Sequence, residues 1–541
     1  MLQRASASGL TLRSLGGSEG LARVWAPPRF KRVYAAANEE SVPYLRPYDI
    51  FDYLPIEADR LSALRSPNLD KYRVERGTIL QTCSGRNLGP AVMVDDSIAE
   101  FALSHDLVRI EVEDETLAHY VLAFLSSASG QELLRRDKSG TVIDHISPAH
   151  VSELQIPILD ADTREQIASS MRSAVEMLES GRHRLTVALQ ELEQRLPPLM
   201  READLSEGWT THRHALQGRL DAAAHDPLVL RVHEELVRIG GERVSELARV
   251  HKPGGRYKTV YVEAPFGRPI LSGGQLLQYV PINLRQISDI AFKKPAEYEV
   301  RTGWILYAAD GRAEEGLGLP AVVTRDRDGW LASGHVGRII PNDDRDSPWL
   351  YLALRSAHAQ LQIRATASGS VVDSTFENDM ANVVLPPREL IANVSEIAEA
   401  WREIELSAIH RRDAIDLFDL ALQETAGFVE QGTFAESVAR VRELLGLRDP
   451  EIARGLHATP AELRRWVGGQ KPPSADASKR MADWARSAER LARVFPTQEL
   501  ETWLRESIPS LGGERPVDVL LSGDTAAVER VLSELEQPGA I

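Results

Sequence analysis

One cysteine, Cys83, stands in a chain of 541 residues. A single thiol excludes an internal disulfide and a cysteine-rich zinc site, and it fits a reducing compartment. Long apolar runs are missing: none approaches the ~20 residues that a bilayer-spanning helix needs. Positive charge is scarce, with Lys+Arg 63 against Asp+Glu 79, a formal net charge of −16 and a pI near 5.5. A nonspecific nucleic-acid coat would be basic. A sequence-specific reader needs only a local basic surface, so acid elsewhere does not exclude one. Catalytic signatures are missing as well. There is no Gly-x4-Gly-Lys-Ser/Thr phosphate loop and no Asp/Asn-Pro-Pro-Tyr/Phe adenine-methylase motif. His233-Glu234 opens like a zinc-protease helix, but Val237 stands where the second histidine belongs. No catalytic residue, metal or cofactor is therefore expected. Met1 to Ser18 carries Arg4, Arg13 and several serines without an acid, faintly like a transit peptide, yet lacks the apolar core of a secretory signal; it reads as a frayed start or a mis-assigned start codon. The expected location is cytoplasmic, with no membrane partner.

What is present is a repeat. Leu21-Ala22-Arg23-Val24 returns as Leu247-Ala248-Arg249-Val250, and Arg29-Phe30-Lys31-Arg32-Val33-Tyr34 as Arg256-Tyr257-Lys258-Thr259-Val260-Tyr261. Gly77-Thr78-Ile79-Leu80 and Gly85-Arg86 return as Gly303-Trp304-Ile305-Leu306 and Gly311-Arg312. Ser139-Gly140-Thr141-Val142 returns as Ser368-Gly369-Ser370-Val371, and Ile156-Pro157 as Leu385-Pro386. The offset stays between 226 and 229 residues. Conserved order at constant offset means one unit of about 150 residues in two diverged copies, not a short-period solenoid. Each copy mixes short β-like runs (Val92-Met93-Val94, Ala321-Val322-Val323) with one helix-like stretch (Tyr120 to Leu125, Tyr351 to Leu354), an α+β pattern.

A helical pattern follows each copy. The first spacer, Thr163 to Leu196, places Ile167, Met171, Ala174, Leu178, Leu185, Leu189, Leu192 and Leu196 on one seam, irregular at Gly181-Arg182 and ended by Pro197-Pro198. The second places Leu390, Val394, Ile397, Trp401, Ile404, Ala408, Ile415, Phe418 and Leu422 on another, with Arg411 in its one polar slot. Alternating steps of three and four over several heptads predict a coiled coil. Two seams in one chain most simply pair with each other, antiparallel; the alternative is that each helix packs on its own globular neighbour. About 35 residues at 1.5 Å each span roughly 50 Å, so a paired rod would act as a ruler between the copies.

After residue 430 the pattern changes. Phe434 to Leu445 and Asp449 to Leu456 read as helices; the turn His457-Ala458 follows, then a helix capped by Thr459 with Pro460 at its first position, running to Gly468-Gly469. Helix, short turn and capped helix with Arg464, Arg465 and Lys471 is a helix-turn-helix plan. From Asp449 to Phe495 nine bases face six acids, whereas Pro496 to Ile541 holds nine acids against three bases. The first stretch suits DNA and the second a protein surface.

Taken together, the Phe/Tyr-Lys entries at Lys31 and Lys258, the glycine turns at Gly77 and Gly303, the Ser-Gly-Thr/Ser-Val loops and the Ile/Leu-Pro exits resemble the specificity (S) subunit of type I restriction–modification systems. Arg219-Leu220-Asp221-Ala222 resembles a boundary motif of that family, and the first copy lacks such a lead-in. Trp503-Leu504, Pro509, Leu511-Gly512-Gly513, Arg515-Pro516, Asp518-Val519-Leu520 and Val528 to Leu532 resemble the C-terminal domain of Xre/MbcA/ParS-type antitoxins. The resemblance implies an α+β fold: two tandem target-recognition domains separated by long helices in an antiparallel coiled coil, plus an all-α C-terminal helix-turn-helix domain. The implied boundaries are 1–160, spacer 161–200, 215–387, spacer 388–428, 434–495 and 496–541. The implied partners are double-stranded DNA, a DNA methyltransferase (modification) subunit, a restriction subunit, and a toxin on the C-terminal domain.

A reader of base edges and phosphates needs loops bearing Arg, Lys, Asn, Ser and Thr. The candidates are Ser84, Arg86 and Asn87, then Lys138, Ser139 and Thr141, in the first copy, and Arg312, Arg364, Ser368 and Ser370 in the second, with Arg464, Arg465 and Lys471 beyond. Singly, each reads more readily as a solvated loop residue or a turn residue holding its own backbone; as clusters they favour DNA contact. Two other functions remain open: an Xre-like antitoxin or transcriptional regulator with fused DNA-recognition domains, and a phage-defence scaffold.

Overall fold

The structure, a computed structural model, describes residues 10–36, 39–55, 59–66, 68–85, 90–136, 144–199, 208–216, 219–254, 260–262, 267–288, 295–311, 316–369, 372–391, 393–425, 434–495, 497–522, 527–528 and 531. Helices and strands are mixed throughout, and the chain divides into two units. One comprises Met1–Gly255, Leu271–Leu284 and Glu297–Leu422; the other comprises Arg256–Ile270, Arg285–Ala296 and Gln423–Ile541.

In the first copy the described strands are β1 (Thr11–Ser14), β2 (Arg23–Trp25), β3 (Ser41–Leu45), β4 (Asp59–Ser62), β5 (Ile79–Thr82), β6 (Ser84–Gly85), β7 (Val92–Met93), β8 (Ala102–Leu103), β9 (Leu107–Glu111), β10 (Asp144–His145) and β11 (Gln155–Ile158). A four-stranded sheet has the order β2-β9-β5-β7. The later strands include β12 (Glu242–Arg243), β13 (Ala248–His251), β14 (Tyr261–Val262), β15 (Arg268–Leu271), β16 (Arg285–Ile287), β17 (Ile305–Ala308), β18 (Asp310–Gly311), β19 (Pro320–Val322), β20 (Leu331–Ala332), β21 (Val336–Pro341), β22 (Asp373–Ser374) and β23 (Val384–Leu385). Their four-stranded sheet has the order β13-β21-β17-β19. These are the same strands, shifted by the sequence offset. The small pairs repeat too: β1 with β11 and β12 with β23, β6 with β10 and β18 with β22.

Local chemistry repeats with the topology. Gly77 (φ 85°) and Gly303 (φ 83°) both occupy the left-handed region that glycine tolerates. Ser127 donates to the carbonyl of Phe124 at 2.8 Å, and Ser356 to that of Ala353 at 2.7 Å; each begins a second helix after a sharp break. Gln131 reaches the Leu125 carbonyl and Gln360 the Leu354 carbonyl. Most telling are two arginines in the middle of apolar strands. Arg109 and Arg338 are 0 % exposed. Arg109 donates to the carbonyls of Leu107 (2.7 Å) and Ser104 (3.4 Å), and Arg338 to those of Val336 and of Ser333 (3.4 Å), with Ala332 (2.7 Å) and Tyr298 (3.1 Å) besides. A buried guanidinium persists only where such acceptors satisfy it.

The two spacers are helices, Ala161–Arg195 and Val394–Thr425. Asp160 caps the first by accepting from the Thr163 amide at 3.0 Å, and extended Leu196 before Pro197 ends it. Their contacts run in opposite senses. Ser170 donates to the carbonyl of His410, Ser407 to that of Ala174, Arg184 to Glu403 at 3.1 Å and also to Glu396, and Arg195 to the carbonyl of Leu390. Along the first helix Ile167, Met171, Ala174, Leu178, Leu185 and Leu192 are buried and Leu189 is partly buried. Along the second, Ile397, Trp401, Ile404, Phe418 and Leu422 are buried, with Val394 partly so.

Three details differ from the sequence expectation. Leu390 lies in a separate 3-10 turn, Arg388–Leu390, ahead of the helix. Ile415 is only half-buried; Ser407, Arg411 and Ala414 are the inward positions, one residue ahead of the expected Ala408 and Ile415. The irregularity at Gly181-Arg182 has a cause. A Cβ at Gly181 would lie 2.8 Å from the Ala400 carbonyl oxygen and 2.8 Å from the Ile404 side chain, so the backbones approach where only glycine fits. Arg182 is the largest side chain that this helix buries, at 1 % exposure.

In the second unit, β14, β16 and β15 form an antiparallel sheet in that order. Its helices Phe434–Leu445, Asp449–Gly455, Pro460–Val467, Ala475–Val494, Thr497–Arg505 and Pro516–Ser522 enclose a core that includes Val438, Val441, Ile452, Leu463, Met481, Trp484, Leu491, Leu500 and Leu520.

Candidate nucleic-acid interface

Each copy ends its scaffold in a two-stranded ribbon. In the first, Gly85 lies opposite Asp144 and Ser84 opposite His145; in the second, Asp310 lies opposite Ser374 and Gly311 opposite Asp373. The chain leaving Gly85 and the chain entering Asp144 are thus brought side by side, as are the chains at Gly311 and Asp373. Those are the two segments per copy in which the sequence places its readers. Ser84 belongs to the ribbon; Arg86, Asn87, Lys138, Ser139, Thr141, Arg312 and Ser370 lie outside the described residues. Ser368 exchanges backbone hydrogen bonds with Ser374, a bridge on the edge of β22 opposite to β18. Arg364 sits on the helix Ala357–Thr366 and not on a loop; it lines a groove with Leu189, Glu193 and Leu199.

Sequence reasoning missed the charged groups at the ribbon bases. In the second copy Asp310 is a hub. It accepts from the Lys252 ammonium at 2.9 Å and the Ser374 hydroxyl at 2.6 Å, and pairs with His335 Nδ1 at 2.8 Å. Burial opposes its ionisation, but the hydrogen bonds from Ser374, Lys252 and His335 outweigh that and hold its carboxyl below the ordinary carboxylate range. His251 approaches Glu377 at 3.3 Å, and the Lys252 amide donates to the same carboxylate. Among the described residues the first copy has no counterpart of this hub. Instead Arg32 pairs with Asp106 at 3.5 Å and stacks over Tyr44, while Arg29 approaches His105 at 3.3 Å. Burial pulls the His105 pKa below the ordinary histidine value despite Asp106 beside it. Asp106 and His335 are equivalent positions bearing opposite chemistry. The available signal was positional: both sit just before a strand that carries a repeated arginine. Charged and hydrogen-bonding groups of this kind are the chemistry that contacts to phosphates and base edges require, and the set differs between the copies.

Cys83 belongs to the scaffold. Burial pushes its thiol up to about 11, and its carbonyl accepts the Ile146 amide. A thiol so disposed is a poor nucleophile. Among the described residues no group of three His, Cys, Asp or Glu side chains could hold a metal ion, and no helix is long and apolar enough to cross a membrane.

In the second unit Thr459 caps Pro460–Val467 in a reciprocal capping box with Glu462, whose carboxyl those hydrogen bonds hold below its ordinary value. His457 takes φ 54° in the preceding turn. Gly455 packs so closely that an added Cβ would meet the Trp484 ring at 2.4 Å, which fixes the preceding helix against the core. Leu463 points inward while Arg464, Arg465 and Lys471 are exposed. This is the two-helix arrangement that the sequence predicted, with its three basic side chains facing solvent.

Known proteins resemble the two parts separately. The family model for the antitoxin Xre/MbcA/ParS C-terminal toxin-binding domain matches residues 490–537. The mycobacterial cidal antitoxin MbcA of Mycobacterium bovis is 28% identical over 102 residues, which is 19% of this chain and 88% of that protein. Among solved structures, the S subunit of a type I restriction–modification system from M. genitalium aligns with 77% of this chain and 96% of its own, at 13% identity and a TM-score of 0.27. The HsdS subunit from Thermoanaerobacter tengcongensis aligns with 76% of this chain and all of its own (100%), at 14% identity and a TM-score of 0.23. A chain of the M. tuberculosis MbcT–MbcA toxin–antitoxin complex aligns with 19% of this chain and 94% of its own, at 26% identity and a TM-score of 0.18. Superpositions this loose carry no argument by themselves.

Proposed function

We propose that the chain is a non-catalytic DNA-specificity subunit of a type I-like restriction–modification system. It reads a two-part target with two tandem recognition domains and positions a DNA methyltransferase subunit, with a restriction subunit beyond it. The observation that carries this reading is the doubled scaffold. Two sheets of the same strand order each end in a ribbon from which two polar segments leave together, and the ribbon bases bear different charged groups. Equal scaffolds with unequal edges suit two unlike half-targets. The long helices pair along seams that run in opposite directions, as an antiparallel coiled coil would. Their Glu- and Arg-rich exterior is the docking face for the methyltransferase. On this reading Arg86, Asn87, Lys138, Ser139 and Thr141 serve one half-target, and Arg312, Arg364, Ser368 and Ser370 serve the other.

Purification of the full-length chain from its native host tests the reading. A stoichiometric adenine or cytosine methyltransferase is expected alongside it. Recovery of a small toxin with no methyltransferase would replace this function with that of an antitoxin-like regulator. The match over residues 490–537 supports one component of that second reading: the C-terminal domain holds a small protein toxin while the repeats choose the DNA.

A further inference from the structure

The two copies also touch each other, and they do so through equivalent residues. The Tyr53 amide donates to the Leu277 carbonyl at 2.7 Å, and the Tyr279 amide donates to the Phe51 carbonyl at 2.8 Å. Asp52 and Gln278 lie opposite each other in an antiparallel bridge. Tyr53 and Tyr279 are 226 residues apart, as are Phe51 and Leu277, which is the offset of the repeat itself. Reciprocal bonds between equivalent positions are the signature of a two-fold axis. Here that axis lies within a single chain.

Two buried arginines close the junction, each reaching across it. Arg182, from the first long helix, donates to the carbonyls of Tyr53 (3.0 Å) and Asp52 (2.6 Å), pairs with Asp95 at 2.6 Å, and stacks over Tyr279 of the other copy at 5.2 Å. Arg327 donates to the carbonyls of Gln278 (2.7 Å) and Tyr279 (3.3 Å) and stacks over Tyr53 at 5.1 Å. The pair is mirrored in function, although the two arginines come from unrelated positions in the repeat. Trp401 of the second long helix covers the centre, edge-on to both Tyr53 and Tyr351. The junction therefore sits beside the point where Gly181, near the middle of the first long helix, meets Ala400, in the first two turns of the second.

We propose that this junction sets the gap and the rotational phase between the two half-targets, and that Arg182 and Arg327 are its positioning residues. The inference rests on the two-part DNA reading above. Helix length alone would let the copies lean and twist about the rod. A backbone bridge clamped by two guanidinium forks, each tied to two carbonyls and one ring, leaves one arrangement. The tolerance needed is tight, because one base pair of B-DNA advances about 3.4 Å and turns about 34°.

The test uses full-length protein and a panel of two-part DNAs whose gap varies by single base pairs. The parent chain is expected to lose about tenfold in affinity when the gap changes by one base pair. Arg182→Met with Asp95→Leu removes the ion and its partner together, so no charge is left buried alone. Arg327→Met makes the mirror-image change and serves as the second arm if the double variant folds poorly. Both variants are expected to prefer the same bases in each half-site while accepting neighbouring gaps within about threefold. Folded variants that still accept only the parent gap would overturn the proposal. A DNA-free measurement keeps the inference separable from the DNA reading. Spin labels at Leu64→Cys and Val237→Cys, in a Cys83→Ala background, report the distance between the copies. The distribution should broaden in both variants, and an unbroadened one also overturns the proposal. If the parent chain binds no two-part DNA but the distances broaden, the DNA reading falls while the arginines remain what holds the copies.

Discussion

The two copies differ most at the ribbon bases and least in the sheet and helices behind them. Strand order, the left-handed glycines, the helix-breaking serines and the fully buried arginine of the central strand are shared. At the ribbon base the likeness stops. The second copy gathers Lys252, His335 and Ser374 on Asp310, while the first sets Arg29 and Arg32 beside His105 and Asp106. A scaffold held by buried, satisfied polar groups tolerates variation at its rim, because rim residues contribute little to folding. Duplication can then yield two readers of different preference at no cost in stability.

The largest test of this comparison is at the equivalent arginines. Replacing Arg109 by methionine strands two carbonyls and replacing Arg338 strands four, and each replacement should cost about 3–5 kcal/mol. If the scaffolds are equivalent, denaturant titration will give the two losses within about 1 kcal/mol of each other. A loss confined to one copy would show that the likeness is only topological.

Gly181→Val drives a side chain into the Ala400 carbonyl and Ile404, for an expected loss of about 1–3 kcal/mol. The same substitution at Gly274, where an added Cβ meets nothing within 4 Å, should cost far less. Thermal melting distinguishes the two.

At the rim, Lys252→Ala should weaken one half-site by about tenfold, or ~1.4 kcal/mol, and Arg32→Ala the other. Binding to DNAs with one half-site scrambled reads this out. Equal loss at both half-sites would break the claim that the readers are independent. Of the loop residues named from sequence, Arg86 and Lys138 should behave like Arg32, and Arg312 like Lys252.

Acid should act through Asp95. Burial opposes its ionisation, but Arg182, Ser97 and the Ile98 amide hold its carboxyl below the ordinary value. Stability from a depressed carboxylate is present above its unfolded pKa, about 3.9, and is lost as pH falls through the lower folded value. Stability should therefore hold down to about pH 4 and drop below it, and the drop should be shallower in the Arg182→Met/Asp95→Leu variant. The smallest effect belongs to the exposed side chains of the second unit: Arg464→Ala with Arg465→Ala should leave the choice of two-part target unchanged.

The repeat was legible because duplication copies short motifs at a constant offset, and motifs such as Gly77-Thr78-Ile79-Leu80 survive where a positive φ or a buried strand demands them. The long helices were legible because the three-and-four stepping of apolar residues is local. Their inward positions were not fully legible. Arg411 buries its head against the Ala91 carbonyl and the Ser126 hydroxyl, and the inward stripe follows Ser407, Arg411 and Ala414. Arg411 itself was expected in the polar slot of the seam; its neighbours were misplaced by one residue. Arg109, Arg182, Arg327 and Arg338 were missed, because spacing does not mark an arginine as buried. Arg182 and Arg327 are satisfied by carbonyls far away in sequence, and Arg109 by two within five residues that only the fold of the chain turns toward it. The charged hub of Asp310 draws on Lys252, His335 and Ser374, which lie 58, 25 and 64 residues away, so it too is invisible to spacing.

Selection of random-sequence duplexes by the full-length chain tests the central claim most directly. Two short blocks of fixed bases, unlike each other and separated by one constant length of free sequence, are the predicted result. A single uninterrupted motif, or two blocks at unrelated distances, would contradict a doubled reader held at one separation.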